Sequence, residues 1–147
     1  MSNILITGFT GFIGQRLVNA INGQIRVLSR KKQSNSDTVV CDLEKELIPN
    51  NALNNIDTVY HLAGFAHDVR DALEIEGLYK KVNIDSTIRL AELAVKSGVK
   101  RFVFVSSVKA GGLPIFERCA SEEEQNEPDG IYGETKREAE LVLLDIA

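Results

Sequence analysis

No apolar run in this chain approaches the ~20 residues that a membrane-spanning helix needs, and its first residues lack the basic stretch followed by an apolar one that marks a secretory leader. That argues against a membrane span and against export, so a cytoplasmic setting is expected. Positive charge is not in excess either. The 17 Lys and Arg stand against 21 Asp and Glu, and the isoelectric point is near 5.2, which leaves no electrostatic footprint for nucleic acid. The one basic cluster, Arg30-Lys31-Lys32, is too short to change this. Cysteine is scarce: Cys41 and Cys119 show no metal-type spacing and have no histidine at ligand distance in sequence. They are expected to be plain thiols of a reducing compartment. No internal repeat and no low-complexity segment is present.

What remains is an ordinary globular composition. Of the 147 residues, 44% are apolar and 26% charged, enough for one domain with a real core. Short β-like runs alternate with helical stretches. Asn3 to Thr7 is an apolar run ended by glycine and reads as a buried strand. Ile13, Leu17, Val18 and Ile21 follow at helical spacing, with Asn22-Gly23 as the stop. Strands are expected at 25–29, 38–41, 57–62 and 101–106, the last apolar enough for burial on both faces. Between the final two, a long helix carries Ile84, Ile88, Ala91 and Val95 on one stripe, with Leu90 and Ala94 on a neighbouring one, and stops at Ser97-Gly98. Residues 108–130 read as loop, and a last helix starts near Ile131. The alternation predicts an α/β fold, a doubly wound parallel sheet with right-handed crossovers.

Two motifs carry chemistry. Gly8, Gly11 and Gly14 lie between the first strand and the first helix. There Gly8 permits a tight turn, Gly11 lets a pyrophosphate approach the backbone, and Gly14 allows close helix–strand contact. The phosphates would sit at a helix N-terminus, where unpaired N–H groups and the helix dipole favour negative charge. At the end of the second strand an acidic residue would hydrogen-bond the ribose, whereas an arginine accommodates a 2′-phosphate. The chain offers Ser29-Arg30-Lys31-Lys32 there, with no carboxylate until Asp37. NADP(H) is therefore expected in preference to NAD(H), with NAD(H) as the alternative.

The second motif is Tyr132-x-x-x-Lys136, two residues that share a helix face. A free phenol has a pKa near 10, and an ammonium beside it favours the phenolate. Such a pair can exchange a proton with a carbinol oxygen while a nicotinamide exchanges the hydride. Ser106 and Ser107 follow the fifth strand, at the sheet edge where such folds bind ligands. Spacing does not decide which of the two would meet the reacting oxygen. His61, at a strand end, reads as structural, and His67 has no evident partner.

Taken together and in this order, Thr7-Gly8-x-x-Gly11-x-x-Gly14, Asp42-Leu43, His61-Leu62-Ala63-Gly64, Asn83, Ser106-Ser107 and Tyr132-x-x-x-Lys136 resemble the extended short-chain dehydrogenase/reductases. That superfamily includes nucleotide-sugar epimerases, dehydratases and 4-keto reductases. The resemblance spans the chain and implies a Rossmann domain over residues 1–147 that binds its cofactor through Gly8, Gly11, Phe12, Ile13, Gly14 and Arg30. It implies that Asp42 and Leu43 meet the adenine, that Leu62, Ala63 and Gly64 line the cofactor, and that Asn83 supports the site. Ser107 would be the catalytic serine, Tyr132 the acid/base, and Lys136 the residue that holds the nicotinamide ribose and tunes Tyr132. The stretches around Ser106-Ser107 and Tyr132 are most similar to bacterial UDP-sugar 4-keto reductases and epimerases of surface-polysaccharide synthesis.

Val108-Lys109 stands where sugar dehydratases carry Asp-Glu, which counts against dehydration. Family members are also much longer, and their C-terminal part supplies the lobe that grips the nucleotide-sugar. The expectation is thus an N-terminal domain of an NAD(P)-dependent reductase or epimerase acting on a UDP-sugar. A dinucleotide-binding module without turnover and a reductase of a non-sugar carbonyl are the alternatives. Self-association is expected through the fifth strand's edge, the long helix after Asn83 and the last helix, whose Leu141-Val142-Leu143-Leu144 is apolar nearly all round.

Overall fold

Five short runs of β-branched and aliphatic residues pair into one wholly parallel sheet. The computed structural model describes residues 2–34, 36–66, 72–113 and 120–147; His67 and Cys119 lie outside them. The strands are β1 (Asn3–Thr7), β2 (Gln24–Ser29), β3 (Asp37–Val40), β4 (Thr58–His61) and β5 (Arg101–Phe104), in the order β3-β2-β1-β4-β5. The helices are α1 (Phe12–Ala20), α2 (Ala72–Tyr79), α3 (Ser86–Lys96) and α4 (Gly130–Ile146). Strand order runs one way from β1 to β3 and the other way from β4 to β5. Right-handed crossovers then put α1 and α3 on opposite faces, and the switch point lies between β1 and β4.

The α3 face holds the core. Leu5 and Val59 pack with Leu90, Leu93 and Ala94 of α3 and with Ala52 and Leu53 of a single 3-10 turn, Asn50–Leu53. Alternation along a strand sends Ile4 and Ile6 to the α1 face, where Ile6 is in register with Val27 and Tyr60, and Tyr60 with Val103.

Three expectations are modified. The stripe on α1 is covered only in part: Leu17, Val18 and Ile21 are half-buried, Ile13 is 53% exposed, and Gly14 alone is buried. One helix cannot cover five strands. β5 ends at Phe104 rather than Ser106 and is an edge strand with half-buried side chains, not one buried on both faces. The long helix begins earlier than Ile84, because α2 runs through a widened π turn (Lys80–Asp85) into α3. Its buried stripe is centred on Thr87, Leu90, Ala91 and Ala94, while Val95 is 64% exposed. The stop is as expected: Gly98 N–H donates to Val95 O and Val99 N–H to Ala94 O, closing a Schellman motif. Within 108–113 the expected loop contains one 3-10 turn, Val108–Gly111.

Candidate functional site

The turn after β1 is shaped by what glycine lacks. Gly8 has φ +70°, and a Cβ there would lie 2.6 Å from Ala63 N. A Cβ on Gly14 would lie 2.4 Å from both Gly8 O and Phe9 Cα. The turn therefore folds flat against the end of β4 and the start of α1. No side chain caps α1, so its first-turn N–H groups, beginning at Phe12 and Ile13, have no partner within the helix. In front of this turn lies a cleft of about 420 Å³. Gly8 and Gly11 form its floor, Leu62, Ala63 and Gly64 one wall, and Arg30, Asp42 and Leu43 the far end. Cys41 N–H continues the β2–β3 pairing by donating to Ser29 O at 2.9 Å, which brings Asp42 alongside Arg30. A backbone cradle that any Cβ would fill, opening on a helix N-terminus, fits a dinucleotide's pyrophosphate.

Ser107, Tyr132 and Lys136 lie outside that cleft's lining and form a second group against the end of β5. Helix α4 touches both ends of the 105–109 segment. Lys136 Nζ donates to Val105 O at 2.7 Å and sits 3.8 Å from the centroid of the Phe104 ring. A Cβ on Gly133 would meet Lys109 O at 2.4 Å, so glycine lets α4 approach that backbone. Ser107 begins the intervening 3-10 turn and accepts from Lys109 N–H at 3.3 Å. The neighbouring Ser106 hydroxyl is buried and has no hydrogen-bond partner among the described residues. Lys109 Nζ is held by Asp129 at 2.9 Å, just ahead of α4. Tyr132 packs its ring edge-on to Tyr79, with centroids 6.4 Å apart. Lys136 is 3% exposed, and burial pushes its ammonium down to about 8 against a pull from Glu140.

Asn83, on the π turn, stands between the two groups. Its side chain clasps the backbone of Phe65, with Oδ1 accepting from Phe65 N–H at 2.7 Å and Nδ2 donating to Phe65 O at 3.0 Å. Nδ2 also reaches Thr135 Oγ1 at 3.1 Å, and that hydroxyl hydrogen-bonds the Ile131 and Tyr132 carbonyls. The sequence reading did not single out Thr135 or Thr87. Thr135 sits one residue before Lys136, and that adjacency was the available signal. His61 is fully buried and pushed down to about 3, first by burial and then by the Lys136 charge. A neutral structural histidine is what its strand-end position implies. Among the described residues no group of histidine, cysteine and carboxylate side chains could hold a metal.

The NAD dependent epimerase/dehydratase family model matches residues 4–147. The chain belongs to that family. As a member, it is 36% identical to a UDP-glucose 4-epimerase of Vibrio cholerae over 99% of this chain and 47% of that protein. It is 31% identical to the N-acetyl-alpha-D-glucosaminyl-diphospho-ditrans,octacis-undecaprenol 4-epimerase of Escherichia coli O157:H7, over 97% of this chain and 43% of that one. Among solved structures, MoeE5 in complex with UDP-glucose and NAD superposes with a TM-score of 0.84 at 31% identity, covering 99% of this chain and 49% of the other. The Thermotoga maritima UDP-glucose 4-epimerase with UDP-glucose gives 0.80 at 26% identity, covering 99% and 51%. This family member thus spans about half the length of the relatives it matches, and those structures share its fold, a parallel sheet flanked by helices. No helix among the described residues is long and apolar enough to cross a membrane.

Proposed function

We propose that this chain is the dinucleotide-binding half of a cytoplasmic NAD(P)-dependent enzyme that reduces a 4-keto group or inverts C4 on a nucleotide-activated sugar. The observation that carries the proposal is the backbone cradle at Gly8 and Gly14, which opens on the uncapped N-terminus of α1; Ser107, Tyr132 and Lys136 are assigned as its acid–base partners. The family match and the NAD and UDP-glucose in the MoeE5 complex support it. In this reading Gly8, Gly11, Phe12, Ile13 and Gly14 hold the pyrophosphate. Asp42 and Leu43 meet the adenine, and Leu62, Ala63, Gly64 and Asn83 flank the rest of the cofactor. The nicotinamide, when bound, exchanges hydride with the sugar carbon.

The chain's own task is the proton. Tyr132 Oη gives it to, or takes it from, the C4 oxygen, and Ser107 Oγ orients that oxygen. Lys136, anchored on Val105 O, keeps positive charge behind the phenol and faces the ribose. Val108-Lys109 in place of two acids favours these reactions over dehydration.

NADP(H) is the expected cofactor. Arg30 lines the cleft, whereas Asp37 is held by Arg26 at 2.7 Å, three register positions back from the end of β2. Fluorescence titration of the chain with NADPH and NADH tests this directly. Tighter NADPH binding is expected, binding of NADH alone removes the preference, and binding of neither removes the cofactor reading. A dinucleotide-bound chain that, joined to its remaining half, turns over no UDP-sugar would favour the non-catalytic module. Self-association through the β5 edge and α4, where Leu144 is 74% exposed, is expected, and a monomer by light scattering would remove it.

A further inference from the structure

His61, Thr7 and Thr87 are all fully buried and lie outside both groups of proposed site residues. We propose that His61 is a positioning residue that joins the dinucleotide cleft to the Tyr132 helix, with Thr7 and Thr87 as its two arms. This role rests on the functional reading given under Proposed function.

The directions of the hydrogen bonds carry the argument. Thr87 Oγ1 donates its single proton to Asn83 O at 2.8 Å. It must therefore accept from His61, whose Nε2 lies 2.8 Å away. A neutral ring protonated on Nε2 has an acceptor at Nδ1, and Thr7 Oγ1 lies 2.6 Å from it and donates to it. Thr7 Oγ1 in turn accepts from Ala63 N–H at 3.1 Å. One direction thus runs from Ala63 N–H through Thr7, His61 and Thr87 to Asn83 O. Reversing any link strands a proton or a lone pair in a dry core.

Both ends of this line are at work sites. Ala63 N is the atom against which the missing Cβ of Gly8 leaves room, so the Thr7 arm fixes how the glycine turn crosses the end of β4. The Thr87 arm holds the Asn83 carbonyl on the π turn, and the Asn83 side chain grips Phe65 and Thr135. A leucine at 61 would fill similar space, leave the Thr7 hydroxyl proton without an acceptor and take away the donor to Thr87 Oγ1, so that Thr7 keeps only Ala63 N–H and Thr87 only Asn83 O. Burial and the nearby Lys136 ammonium keep the ring neutral, as a one-way line requires.

Proton-detected nitrogen NMR of the unsubstituted chain should find His61 as the Nε2–H tautomer from pH 5 to 8. An Nδ1–H tautomer or an imidazolium in that range overturns the proposal. Thr7→Val and Thr87→Val keep the shape and remove one arm each. In NADPH and NADH titrations run well below each variant's melting temperature, each should weaken dinucleotide binding about tenfold, and Thr7→Ser and Thr87→Ser should restore it. The double valine variant should bind hardly more weakly than the worse single one, because both arms act through one ring.

Valine variants that melt lower yet bind like the parent, or losses that multiply in full, overturn the proposal. A parent that binds neither dinucleotide overturns the functional reading with it. A parent that binds while the variants are unaffected overturns the positioning role alone. The tautomer measurement needs no variant and can still overturn the proposal if a valine variant does not fold.

Discussion

The glycine turn and the Tyr132–Lys136 wall are built on opposite principles. At the turn, the shape comes from atoms that are absent, since Gly8 and Gly14 leave backbone bare where a side chain would collide. Eight consecutive residues specify nearly all of it. At the wall, the arrangement depends on atoms that are present and on partners far away in sequence. Lys136 reaches 31 residues back to Val105, and Thr135 reaches 52 back to Asn83. The turn is rigid because its backbone has one way to fit. The wall buries an ammonium, which costs stability.

The substitution expected to break the turn most severely is Gly8→Ala, which meets both a left-handed φ and the Ala63 backbone. It should destabilise the fold by about 3 kcal/mol in urea denaturation. A loss below about 1 kcal/mol would mean the turn yields more easily than its geometry implies.

At the wall, Lys136 releases its proton near 8 when folded and near its ordinary 10.5 when unfolded. The unfolded chain holds the extra proton between those values, so stability should rise with pH across that window, approaching about 1.4 kcal/mol per pH unit. Lys136→Met should remove the rise, and a urea midpoint that still climbs from pH 7.5 to 9.5 in the variant would locate the effect elsewhere.

Between the two regions, His61 takes up its proton near 3 when folded and near its ordinary 6.5 when unfolded. Stability should fall as pH drops below 6.5, with His61 contributing about 2 kcal/mol of the loss between pH 7 and pH 5. His61→Gln should lack that share, and identical pH profiles for parent and variant would sink the assignment.

The last test reads reactivity rather than stability, at the end of the cleft lined by Arg30, Cys41 and Asp42. The Cys41 thiol is pushed up to about 11 by burial and by the charges of Glu46 and Asp42. In a Cys119→Ser background it should react with a disulfide reagent at pH 8 at least about a hundredfold more slowly than in the unfolded chain. Rapid reaction would show that this end of the cleft opens readily.

The strands and the glycine turn were legible in the sequence because each depends on neighbours a few residues apart, and the parallel pairing, which joins residues as distant as Ile6 and Tyr60, followed from the alternation of strands with helices. So was the Schellman stop at Gly98. The coverage of α1 and β5 was not, because an apolar stripe records only that a face can be buried. Ile13 and Val95 sit on such stripes and are exposed. The π turn escaped as well: the sequence reading began that helix near Ile84, and nothing local in Lys80 to Asp85 marks the wider turn from which Asn83 bonds Phe65 and Thr135. His61 was readable as structural, but its place between two threonines was not, since those residues lie 54 positions before it and 26 after it along the chain.

By itself, then, the sequence determined an α/β chain with a phosphate-shaped turn and a tyrosine–lysine pair, because backbone geometry and helical spacing are local properties. Tertiary structure alone decided that Lys136 is buried on Val105 O, that His61 is neutral and directional, and that Asn83 links the Phe65 loop beside the cleft to the Tyr132 helix. Burial and hydrogen-bond direction arise only when segments distant in the chain exclude water from one another.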